Sequence, residues 1–428
     1  MSQDISTTLS NAPQSVARRS SRLELIWLLC IAAAARMVWV ALLPVDAVSF
    51  DLLTWKGMAY ALVRHLNPYQ IPGLDTHPPA WMEIVYGLSL LSTRHGFDFL
   101  HSVRMTLIAS DLALLAAVYL LLGALQPGAK RMRLLIVGYC LNPLLILLTV
   151  QHGNFDSLSM IWVVLFLYFL VRFGNSFDAV DWLCAAGCLG IAVFVKQFPL
   201  VLWPLLASGA RRLDWRCWLA GIGLVIAPVA LSLAPLYVLA PDAITQNVLQ
   251  YRSLGNTFGV VGILSLAGLD NLRPVYSQVF TAIVFLGTIV MAAALWRRSW
   301  RLAVAPVLFS AMLLLALFTI GPGYGSQYWF WFVPLILVCY ANSGSGFRRV
   351  IWVCMSIVVA TNVFEYAVES NLGRFLYFMF PSPGLKSLGD FLPYPSVHLN
   401  LLRLPMTLAA FVMLISGTRI LINRQLPK

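Results

Sequence analysis

The residues able to do chemistry are polar side chains placed where burial is costly. Asp51, in "PVDAVSFDLLTWKG" (44–57), is a carboxylate at the end of a long apolar run. "TVQHGNFDS" (149–157) sets Gln151, His152, Asn154 and Asp156 between apolar walls. "VFVKQFPLVLWP" carries Lys196 and Gln197, "LQYRSLGNTFGVVG" carries Arg252 and Asn256, and "TIGPGYGSQYWFWFVP" carries Tyr324, Gln327 and Tyr328. A carboxylate can take a proton as general base, and cations with hydrogen-bond donors can stabilise developing negative charge. Such groups converging on one side of an apolar bundle mark an active site or a permeation path. Each also has a structural reading. Asp51 could cap a helix, His152 could be a turn residue, Lys196 could snorkel, and Arg252 could be a loop cation. Tyr324 and Tyr328 could belong to an aromatic belt. Asp46 reads as a solvated loop acid, and Arg36 with Asp111, at similar depth, as a structural intramembrane pair.

The elements that position these residues are membrane spans. Of 428 residues, 60% are apolar and 11% charged, about half the charged share of a soluble domain. The apolar runs are continuous rather than alternating, which excludes an outer-membrane barrel. Twelve spans are expected, at about 24–44, 103–125, 134–150, 157–173, 181–195, 198–210, 217–239, 275–296, 302–320, 328–342, 350–367 and 401–422. Several fall short of the ~20 residues a bilayer core needs, as expected where a bundle encloses a polar cavity. The first lacks an obvious small-residue cleavage site and is kept as a span rather than a signal peptide. With the N-terminus inside, "ARRSSR", "AKRMR", "ARRLDWR", "WRRSWR" and "FRR" all become cytoplasmic. The net charge of +12 then reports orientation, not nucleic-acid binding.

That threading forces "PAWMEIVYGLSLLS" (79–92) to lie along or into the outer leaflet, because a crossing there would move most basic loops outside. The first external loop then holds two interfacial helices. The earlier one, "FDLLTWKGMAYALVRHL", has an apolar stripe of Leu52, Trp55, Ala59 and Leu62. The seven cysteines lie in apolar runs or at their basic-flanked ends, so no disulfide framework is expected. No P-loop, HExxH or dinucleotide fingerprint is present, and no Cys/His set has metal-ligand spacing.

Several stretches together resemble the GT-C glycosyltransferases, membrane enzymes that use polyprenyl-phosphate sugars. The nearest branch is the dolichyl-phosphate-glucose-dependent glucosyltransferases of N-glycan precursor assembly and their prokaryotic relatives. The stretches are "FDLLTWKGMAY", "NPYQIPGLDTHPPAW" (similar to the family's Asp-Tyr-Pro-Pro region, with Thr-His for Tyr), "QHGNFDSL" (similar to its His-Gly-His-Phe segment) and "KQFPLVLWP". "LQYRSLGNTFGVVG" is a weaker match, and the set spans about 45–265. One departure stands out. The family's late His-Glu-Lys element, associated with the donor phosphate, is replaced by "GYGSQYWFW".

The resemblance implies an all-α GT-C fold of about twelve spans. Residues 1–23 form a cytoplasmic tail, 24–239 a conserved module with external loop 45–102, 240–422 a C-terminal module with external loops 240–274 and 369–400, and 423–428 a second tail. It makes Asp51 the catalytic base of an inverting, metal-independent hexose transfer from a polyprenyl-phosphate donor to a lipid-linked or glycolipid acceptor. Lys196, Arg252, Gln327 and Tyr328 become candidates for the donor phosphate. His77, Gln151, His152, Asp156, Gln197, Asn256 and Tyr324 become candidates for sugar or acceptor. No cofactor beyond the donor is expected, and a monomer in a bacterial inner membrane, with its site on the periplasmic face, is the expected setting. Two alternatives stay open: a polymerase or ligase acting on undecaprenyl-diphosphate glycans, and a secondary transporter, although no repeated halves are visible.

Overall fold

The computed structural model describes residues 14–43, 49–71, 74, 77–125, 130–208, 210–249, 258–296, 303–321, 325–369 and 396–425. Every regular element among them is helical. α1 (Gln14–Leu42) leads to a pair of shorter helices, α2 (Phe50–Val63) and α3 (Ala80–His95), and then to α4 (Phe99–Leu125). A broken segment follows: α5 (Lys130–Leu135), a π-turn at Ile136–Cys140, α6 (Pro143–Ile146) and a second π-turn at Leu147–His152. α7 (Asp156–Ser176) and α8 (Ala179–Val195) precede a 3-10 helix, Phe198–Ala207. Then come α9 (Trp215–Leu239), α10 (Pro241–Ile244), α11 (Gly259–Leu266), α12 (Arg273–Trp296) and α13 (Ala305–Ile320). A 3-10 turn at Ser326–Trp331 leads into α14 (Val333–Ala341), and α15 (Ser345–Glu369) and α16 (Ser396–Gln425) complete the described chain.

Among the described residues, seven helices are long and apolar enough to cross a membrane, and eight if Arg133–Cys140 and Pro143–His152, bent by 45°, make one span. The sequence-predicted spans at 181–195, 198–210 and 302–320 correspond to shorter apolar helices. At ~1.5 Å per residue, helices of this length do not cover a ~30 Å core on their own. Local sequence accounts for the breaks. Asn142 caps α6, its Oδ1 accepting from Leu144 N at 3.0 Å, and Pro143 takes the first helical position. The two π-turns flank that cap. Pro199 and Pro204 punctuate the 3-10 helix at Phe198–Ala207. The span expected at 328–342 divides into the 3-10 turn and α14, which carries Pro334 at its start.

The core lies between α4, α7 and α8, where Leu114, Leu115, Val118, Met160, Val163, Phe166 and Leu189 are fully buried. α9 and α12 behave differently. Leu231, Val238, Leu239, Val275, Phe285 and Val290 all stand exposed. Apolar surface this extensive is unfavourable against water and natural against lipid tails, and the chain is an integral membrane protein.

Buried ion pairs tie the helices together. Arg36 Nε reaches Asp111 Oδ2 at 2.6 Å with both side chains at 0% exposure, as the depth argument expected. Tyr139 donates its hydroxyl to Asp111 Oδ1 at 2.8 Å, and Arg36 Nη1 donates to the Cys140 carbonyl at 2.6 Å. α1, α4 and the first π-turn are thereby joined through one buried network in which Arg36 Nε and Nη1 are bonded and Nη2 finds no partner among the described residues. A second pair, Glu365 on α15 with Arg403 on α16, is also buried. Nothing in the sequence couples these two residues.

α2 and α3 form where the first loop was expected to hold helices. Neither is among the helices long and apolar enough to cross a membrane. The stripe of Leu52, Trp55 and Ala59 is buried against the protein, whereas Phe50, Leu53, Tyr60 and Val63 on the outer face are exposed. α2 is therefore apolar on both sides, with its predicted stripe facing protein.

Candidate active site

The site grows from the end of the second π-turn. His152 closes that turn, and Gly153 follows at φ +75°. A Cβ on Gly153 would lie 2.6 Å from the Leu52 side chain, so the close approach of α2 and the left-handed backbone both require glycine. Three side chains hold the carbonyls here. Ser49 donates to His152 O at 2.5 Å, Trp55 Nε1 to Gly153 O at 3.0 Å, and Arg104 Nε to Val150 O at 3.3 Å. Two of the donors come from the start of α2, which fixes Asp51 relative to His152.

Ser49, not Asp51, caps α2, its Oγ accepting from Leu52 N at 3.1 Å. The capping explanation of Asp51 is thereby removed, and its carboxylate is available for other work. Asp51 Oδ2 lies 3.1 Å from His152 Nε2, with the Asp51 side chain 24% exposed. Burial alone would raise the Asp51 pKa. His152, by charge and hydrogen bonding, and the fields of Lys196 and His77 outweigh it and hold the carboxyl below its ordinary value. Asp51 is therefore an ionised acceptor at neutral pH. Replacing His152 by Gln removes the largest of these lowering influences and leaves burial dominant, so the Asp51 pKa should rise. The acid limb of kcat/KM should then move to higher pH in His152→Gln, and an unmoved limb would show that the two groups are not coupled.

A second cluster adjoins the first through Phe155. The Phe155 ring stacks on Trp81 at 4.9 Å and meets Trp55 at 5.4 Å and His77 at 5.1 Å edge-on. Lys196 Nζ sits 5.0 Å from the same ring and 4.8 Å from that of Tyr328, within cation–π range. Lys196 is paired with Asp156 Oδ1, and Trp331 Nε1 donates to Asp156 Oδ2 at 2.8 Å. Asp156 is at 0% exposure. The Phe198 ring stacks on Trp331 at 3.8 Å and fixes that indole.

The predicted site residues are thus partly assembled. His77 and Lys196 pack against Phe155, Asp51 meets His152, and Asp156 and Tyr328 meet Lys196. Asp156 meets Lys196 and Trp331 here, where a sugar or acceptor contact was expected of it. Gln151 is buried beside His152, and Gln197 is half-buried beside Lys196. Gln327 folds back over Gly325, where a Cβ would lie 1.9 Å from its Oε1. Arg252, Asn256, Tyr324 and Asp46, together with most of the loop at 369–400, lie outside the described residues. Sequence reasoning missed Phe155, Trp331 and Tyr366. Phe155 stood in plain view as the aromatic of "QHGNFDSL". Tyr366, whose hydroxyl lies 2.9 Å from His152 Nδ1, is 214 residues away in sequence and carried no local signal. Among the described residues, no group of three or more His, Cys, Asp or Glu is placed to hold a metal ion.

Residues 76–322 match the model of glycosyltransferase family 87. No curated protein matches the chain. Among solved structures, the chain is similar to ArnT from Cupriavidus metallidurans, solved bound to undecaprenyl phosphate. The TM-score is 0.45 and the identity 15%, over 94% of this chain and 81% of that one.

Proposed function

The chain belongs to glycosyltransferase family 87, a GT-C family of membrane glycosyltransferases, and from that premise we propose the reaction its site performs. It moves a hexose from a polyprenyl-phosphate donor to a lipid-linked or glycolipid acceptor, with inversion and without a metal ion. The observation that carries this is the Asp51 carboxylate, 3.1 Å from His152 Nε2, beside the caged Lys196. An acceptor hydroxyl must lose its proton as it attacks the anomeric carbon, and a carboxylate within hydrogen-bond reach takes it. One displacement inverts the centre. The leaving group is a lipid phosphate, whose growing charge needs a cation or donors nearby. Lys196 supplies the charge, and Tyr328, Gln327 and Arg252 are the further candidates at that phosphate. Asp156 and Trp331 hold Lys196 in place, so Asp156 acts through the lysine. His77, half-buried, is the ring that can meet a sugar, and the buried Trp55 and Trp81 pack behind it.

The site belongs at the headgroup level, since the prenyl chain stays in the bilayer. We place it on the external face of a bacterial inner membrane, supported by the distribution of basic loops. The test is transfer by the purified chain in nanodiscs, from a panel of polyprenyl-phosphate hexoses to a total lipid extract, read by mass spectrometry. A lipid gaining one hexose from at least one such donor is the expected result. Transfer from nucleotide sugars alone would overturn the proposal, and uptake of a solute without transfer would favour a transporter.

A further inference from the structure

The two ring nitrogens of His152 face groups of different character. Nε2 looks at the Asp51 carboxylate at 3.1 Å, and Nδ1 at the Tyr366 hydroxyl at 2.9 Å. A neutral imidazole carries one N–H and one lone pair, an ionised carboxylate only accepts, and a phenol can donate. The arrangement in which every contact is favourable places the proton on Nε2, facing Asp51, and the lone pair on Nδ1, receiving the Tyr366 O–H. The opposite tautomer would aim a lone pair at a carboxylate. Which nitrogen carries the proton is thus set by the hydrogen bond the other one makes.

Tyr366 is itself firmly placed. It is buried, and its ring meets His152 edge-on at 5.6 Å. Its neighbour Glu365 accepts from Arg403 Nε at 2.9 Å across to α16. One turn earlier, Asn362 Nδ2 reaches Val358 O at 2.9 Å and Met406 Sδ at 2.7 Å. α15 and α16 are thereby locked together at the level of the phenol. This end of α15 lies beyond the residues matched by the family model, 76–322.

We propose that Tyr366 is a positioning residue for transfer: its hydroxyl anchors the His152 ring at Nδ1 and so sets where Nε2 meets one oxygen of Asp51, leaving the other for the acceptor hydroxyl. This rests on Asp51 being the base. The C-terminal helices thus complete a site whose base and lysine come from the N-terminal half.

The test is Tyr366→Phe in the full-length protein in nanodiscs, which keeps the ring and removes only the hydroxyl. kcat should fall by about tenfold to a hundredfold, the scale of a misplaced reacting group, with donor KM and thermal midpoint unchanged. Nitrogen NMR of histidine-labelled protein at a pH where the ring is neutral, with the His152 signals assigned by their loss in His152→Gln, should show Nε2 protonated and Nδ1 bare in the native chain. In Tyr366→Phe the Nδ1 signal should shift, because the hydrogen bond it receives is lost. Native kcat in the variant, or His152 signals that do not change, would overturn the proposal. So would a neutral native ring protonated on Nδ1. Asp51→Asn, assayed alongside, separates the two failures. If it is inactive while Tyr366→Phe is native-like, the positioning role alone falls. If it is active, the base assignment falls and takes the positioning role with it.

Discussion

Asp51→Asn should give a folded, membrane-inserted protein whose transfer rate is lower by about 10²–10⁴-fold, the usual contribution of a positioned general base. The substitution is nearly isosteric, and the structural duties nearby belong to other residues. Ser49 caps the helix, and Trp55 and Ser49 hold the carbonyls of the His152 turn. Asn can still accept from His152 Nε2, but it cannot take a proton from an attacking hydroxyl. The check is labelled-hexose transfer under saturating donor, with thermal unfolding in detergent as the fold control. Full activity with a native midpoint would remove Asp51 from the chemistry, and lost activity with a collapsed midpoint would assign it to the fold.

Lys196→Met should act on both stability and function, and a double variant should pull the two apart. Asp156 is at 0% exposure and would retain only the Trp331 indole. Breaking a buried pair by removing one partner costs about 3–5 kcal/mol, because the remaining charge has no compensation. Lys196→Met/Asp156→Leu removes both charges and should recover most of that loss, since buried pairs are often replaceable by apolar residues of similar size. Donor affinity should not recover, because the cation facing the phosphate is still missing. The measurement is the thermal midpoint together with polyprenyl-phosphate binding for the single and double variants. A double variant that regains both stability and native donor affinity would make Lys196 purely structural.

Much of this arrangement was legible because polar residues in an apolar chain are few and conspicuous. Arg36 and Asp111 could be paired from depth alone, and the structure joins them at 2.6 Å. Asp51, His152, Asp156 and Lys196 could each be singled out, since cost and position mark them. Their partners could not. Which side chain Asp156 meets depends on how α7 packs against the turn at Lys196, and this is set by tertiary contacts spread over the core. The role of Trp331 was hidden for the same reason, as one indole in an aromatic run. Glu365 and Arg403 sit near the ends of apolar helices, where charges are ordinary, and only the packing of α15 on α16 shows them buried and paired. Hydropathy also smooths over backbone detail. A run reading as one span at 134–150 contains two π-turns and a capped break at Asn142, because local hydrogen bonding and Pro143 decide the path there.

The most direct measurement is the anomeric configuration of the product formed from a polyprenyl-phosphate hexose of defined configuration, determined by NMR. A single displacement assisted by Asp51 gives the inverted linkage. A product with retained configuration would contradict it, since one back-side displacement with Asp51 as the base cannot give that outcome.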